Sequence, residues 1–76
     1  MDNTILDKKI NDISLREMEY IQFMNWMGKK VNDSGIGNTL TTELNMLLAQ
    51  HSGTRTMTDM NKMVIINKMV RAGISI

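Results

Sequence analysis

MTDMNKMVIINKMV, residues 57–70, holds four methionines, two valines and two isoleucines in fourteen positions, with no glycine or proline. At about 100° per residue on a helical wheel, Met60, Met63, Val64 and Val70 form one arc that closes on Met57. Ile65, Ile66 and Met69 form a second arc. Asn61 and Lys68 fill one gap between them, and Asp59 marks the other. A helix that is apolar most of the way round is normally covered on more than one side. Either it is the central helix of a small bundle, or one face packs internally and the other meets a second chain. The second arrangement is the expectation, with a symmetric dimer as its default form.

Chain length supports that choice. Seventy-six residues make one helical domain, residues 1–76. A chain this short buries only about 60% of its extended surface. Domains of this size add disulfides, a metal, self-association or very regular helices. There is no cysteine, so disulfides and thiolate metal sites are excluded, and His51, the single histidine, cannot build a metal site by itself. Self-association and regular helices remain.

The flanking sequence supplies the other helices. Ser14-Leu15-Arg16-Glu17 has the spacing of a capping box, with Ile13 and Met18 placed for a hydrophobic staple. It predicts a helix over about 14–31, in which Tyr20, Ile21, Phe23, Met24, Met27 and Val31 share a broad arc. Asn32 to Asn38 is turn chemistry throughout. A second helix follows over about 40–51, capped by Thr39 or Thr41, with Leu40, Leu44, Leu47 and Leu48 as a narrow apolar stripe. Ser52-Gly53 stops it. The third runs over about 56–72 and ends at Gly73, well placed as a C′ glycine. A short N-terminal helix is expected over about 4–12, with an ordered arm over the core as the alternative. The fold expected is all-α, a small bundle of three main helices.

Composition narrows function by exclusion. The net charge is +1, from nine basic and eight acidic side chains, without the basic excess of most nucleic-acid binders. No apolar run approaches the roughly 20 residues of a membrane span. The polar N-terminus is followed by no secretory apolar stretch. A cytoplasmic protein with no membrane partner is the expectation. Nine Met, nine Ile and eight Asn against no Pro are residues of A/T-rich codons, and in this the chain resembles small phage- or plasmid-encoded accessory factors.

No catalytic constellation is present. Nucleophilic catalysis needs an adjacent base and an orienting group, and the sequence supplies no such set. Glu17 and Glu19 do not face each other on a helix. His51 falls near a helix C-terminus, where it can meet the last carbonyls. Ser34-Gly35-Ile36-Gly37-Asn38-Thr39 precedes a helix but lacks the lysine of a phosphate loop and a preceding strand. It reads as an inter-helix loop. No catalytic, cofactor-binding or metal-binding residue is expected, and no cofactor.

What remains is binding. The first expectation is a non-enzymatic, self-associating interaction module acting on a partner protein as inhibitor, adaptor or regulatory subunit. Its expected protein interface is Ile65, Ile66, Met69 and Trp26, since tryptophan is enriched at interface hot spots and methionine where a surface must adapt. The second is a helix-turn-helix DNA-binding regulator built from residues 42–70, with Arg55, Thr56, Thr58 and Lys62 reaching phosphates or base edges. An oligomeric small-ligand-binding protein is a third.

Overall fold

The computed structural model describes residues 4–76. Three helices carry most of the chain: α1, Tyr20–Ser34; α2, Asn38–Ala49; and α3, Asp59–Arg71. A short antiparallel hairpin precedes them, so the fold is mostly helical rather than all-α.

The N-terminal segment corrects the expected helix over 4–12. Thr4–Asp7 forms one 3-10 turn, and β1 (Lys9–Ile10) then pairs with β2 (Ile13–Ser14), setting Ile10 opposite Ile13. Asn11 takes φ 57°, the left-handed conformation that asparagine tolerates better than most residues and that a two-residue hairpin turn demands. Asn11-Asp12 is therefore the middle of a hairpin, not the end of a helix. Pairing continues past the strands: Leu15 N–H donates to Lys8 O at 3.1 Å, and Arg16 N–H to Leu6 O at 2.7 Å. Leu6 and Leu15 are fully buried. The Lys8 ammonium donates to the carbonyl of Ile76, tying this arm to the chain end.

The start of α1 is the second correction. The Ser14–Glu17 pattern forms, with Glu17 N–H donating to Ser14 Oγ at 3.2 Å and Ser14 Oγ to Glu17 Oε1 at 2.9 Å. It closes a single turn, and the helix begins six residues downstream of Ser14, at Tyr20. The cause lies in α3. Three carbonyls of this segment, those of Leu15, Arg16 and Met18, accept from the Lys62 ammonium. A helix here would turn the same carbonyls toward N–H groups four residues on. Glu19 becomes the N-cap, its N–H donating to Gln22 Oε1 at 3.0 Å, the return arm of a capping box.

The remaining boundaries follow local chemistry. Gly35, at φ 71°, ends α1. Leu44 and Leu48 of α2 are buried, with Leu40 and Leu47 packed against them as the stripe predicts. Thr58 caps α3, its Oγ1 accepting from Asn61 N–H at 3.2 Å. At the other end Gly73 N–H donates to Val70 O and Ile74 N–H to Met69 O, both at 3.0 Å. That is a Schellman motif, and the positive φ of 92° at Gly73 is why glycine stands there. The core draws on all parts of the chain: Leu6 and Leu15 from the arm, Phe23, Trp26, Met27 and Val31 from α1, Leu44 and Leu48 from α2, and Ile65, Ile66 and Met69 from α3.

Candidate functional site: the two faces of α3

Both apolar arcs of α3 exist, and burial distinguishes them. Ile65, Ile66 and Met69 are at most 1% exposed. Met60, Val64 and Val70 are 76%, 43% and 50% exposed, with Met63 half-buried beside them. The arc named from sequence as the protein interface is thus the internal one. Trp26, named with it, lies in the core of α1 with its ring centroid 5.4 Å from that of Phe23. Its indole N–H is buried without a hydrogen-bond partner. The arc left exposed is the other one.

Lys62 decides which face turns inward. On the wheel it falls between Met69 and Ile66, inside the buried arc. Its side chain is fully buried, and Nζ donates to Leu15 O at 2.7 Å, Arg16 O at 2.8 Å and Met18 O at 2.7 Å. An ammonium has three N–H donors, and all three find acceptors. The Phe23 ring adds its π face 5.8 Å from Nζ. Burial pushes the Lys62 pKa below its ordinary value; Asp59 pulls it back up and Arg16 pushes it down further. Arg16 stands at the rim of this site, its guanidinium bridging Asp7 on the arm, at 3.0 Å, and Asp59 at the start of α3.

The residues of the nucleic-acid reading do not converge. Lys62 is withdrawn from solvent. Thr58 is the N-cap of α3. Thr56 pairs in an isolated antiparallel bridge with Glu19. Arg55 is exposed, but its Nε lies 3.1 Å from Glu19 Oε2. Residues 50–58 separate α2 from α3, whereas a helix-turn-helix joins its two helices in about 3–4 residues.

Two clefts border α2. One of about 430 Å³ lies between the end of α1 and the first turns of α2, over Met27, Asn32, Ile36 and Asn45, and none of its lining side chains is titratable. A smaller groove of about 180 Å³ runs between α2 and α3, past Leu47, His51, Asn61 and Val64, and adjoins the exposed face. Among the described residues no cluster of His, Cys, Asp or Glu is arranged to hold a metal ion, and no helix is long and apolar enough to cross a membrane.

The buried lysine is what sequence reasoning missed. One signal for it was available: a lone lysine inside an apolar arc must either snorkel out or find acceptors. No protein-family model, curated protein or solved structure matches the chain.

Proposed function

We propose that the chain is a small non-enzymatic helical interaction module that self-associates and acts by binding a partner protein, as inhibitor, adaptor or regulatory subunit. The observation that carries this reading is the open face of α3. Met60, Val64 and Val70 remain exposed on a helix whose opposite face is closed in the core. Exposed apolar side chains grouped on one element mark interaction surfaces, whereas single scattered ones need no explanation. Methionine suits such a surface, because its flexible, polarizable side chain adapts to a partner. Among the described residues several acidic side chains have structural partners: Asp7 and Asp59 on Arg16, Glu17 on Ser14, Glu19 on Arg55, Glu43 on Lys68. That pattern agrees with a protein that binds rather than catalyses.

Sedimentation velocity of the wild type and a Met60→Lys/Val64→Glu double variant tests the reading. Both substitutions lie outside the core, so far-ultraviolet circular dichroism should be unchanged. The wild type should sediment as an oligomer and the variant as a monomer. An unchanged oligomer in the variant would place the interface elsewhere.

A further inference from the structure

The exposed face of α3 has a finer pattern than a simple apolar patch. Met60, Met63, Asn67 and Val70 follow spacings of three, four and three residues. That is two successive a–d pairs of a heptad seam over about three turns, with Asn67 as its one polar member. Met60 and Val70 are exposed, and Met63 and Asn67 half-buried. The next position outward is filled by Val64 and Arg71, and the flank on the other side by Asp59 and the buried Ile66.

An amide in the middle of an apolar seam selects its occupant. A wholly apolar partner helix would cover the Asn67 side chain and leave its donors and acceptor unpaired, at a cost of about 1–3 kcal/mol. A second copy in the same orientation brings Asn67 level with its own counterpart, so that the two amides satisfy each other. Antiparallel pairing, with Met60 level with Val70 of the partner, sets Asn67 opposite Met63 and leaves the two amides about 6 Å apart along the axis. The flanks agree. In parallel packing the flank with Arg71 faces the flank with Asp59, whereas antiparallel packing sets each flank against its own kind. These charges are about 18 Å apart along the axis, beyond the roughly 8 Å screening length, so the amide rather than the ion pair fixes the register.

Resting on the self-association proposed above, we infer that the partner on this face is a second copy of the chain, packed with α3 parallel to α3 about a two-fold axis that runs along the seam and sets Asn67 against Asn67. A thirteen-residue helix spans about 20 Å and presents a strip about 10 Å wide. That is some 200 Å² per copy, well short of the roughly 800 Å² of a standard interface. The groove beside Val64 and Leu47 widens the strip without closing the gap. The dimer should therefore be reversible and dissociate on dilution.

The chain has no cysteine, so engineered thiols report orientation without background. Met60→Cys and Val70→Cys variants are oxidised separately and as a mixture. Parallel packing predicts a disulfide dimer from each variant alone and no mixed product, because positions 60 and 70 lie about 15 Å apart along the helix, too far for a disulfide. A mixed disulfide with no homodimeric product would mean antiparallel packing and overturn the inference. Asn67→Leu should tighten association at least threefold and allow mixed disulfides to appear. An Asn67→Leu variant that associates as the wild type does and keeps one orientation would also overturn the inference. A wild type that sediments only as a monomer would instead refute the self-association on which it rests, and a dimer without any of these cross-links would leave self-association standing while removing α3 as its seam.

Discussion

Replacing Lys62 by methionine removes the ammonium but keeps most of the side-chain volume in the core. The carbonyls of Leu15, Arg16 and Met18 then lose a donor that reaches them at 2.7–2.8 Å. A buried acceptor left unsatisfied costs about 1–3 kcal/mol; the Leu15 carbonyl keeps the Met18 N–H at 3.3 Å, so the other two set an upper range of about 2–6 kcal/mol. Two effects reduce it. The variant no longer carries a desolvated charge, whose cost is several kcal/mol, and Arg16 is half-buried, so water reaches its carbonyl once the ammonium has gone. A net loss of about 2–4 kcal/mol remains. A domain of this length has roughly 4–11 kcal/mol in all, so the variant should be close to unfolding. Urea denaturation followed by circular dichroism measures the loss, and Tm should fall by about 8–32 °C, at roughly 4–8 °C per kcal/mol. Met60→Ala on the open face serves as control and should change stability by less than about 0.5 kcal/mol. A Lys62→Met variant within about 1 kcal/mol of the wild type would refute the reasoning. The three carbonyl bonds would then do no more than offset the burial of the charge.

Three further outcomes follow from the same geometry. Because burial lowers the Lys62 pKa, the unfolded chain binds more protons than the folded one between the depressed value and the ordinary 10.5, and stability rises with pH across that window. Subtracting the Lys62→Met urea curves from those of the wild type isolates this slope; a slope of opposite sign would mean that the carbonyls outweigh desolvation. Ile66→Ala should cost about 2–5 kcal/mol as a buried large-to-small change, and Ile66→Asp should unfold the monomer rather than merely dissociate an assembly, which thermal melts at two protein concentrations distinguish. Gly73→Ala, at φ 92°, should cost about 1 kcal/mol by straining the Schellman cap, read as a fall of about 4–8 °C in Tm.

The parts of the fold legible in the sequence are those fixed by chemistry within one or two turns. The Leu40, Leu44, Leu47, Leu48 stripe sets the buried side of α2, and Gly73 closes α3, because a left-handed cap needs a residue without Cβ. The remainder depended on contacts distant in the chain. Glu17 N–H donates to Ser14 Oγ as in a capping box, yet Lys62, more than forty residues away, takes the carbonyls that a helix over 14–19 would need. Asn11-Asp12 suits the stop of a helix and the turn of a hairpin equally, and pairing of Leu15 and Arg16 back onto Lys8 and Leu6 settles it. The two arcs of α3 are nearly equal in apolar content, so periodicity alone does not say which faces in. The lysine does, because only inside the fold does it meet three carbonyls at once.

Molar mass by light scattering across a dilution series of the wild type tests the central claim most directly. The open face of Met60, Met63, Val64 and Val70 predicts a dimer at high concentration that passes to monomer on dilution. A strict monomer at every concentration would contradict it.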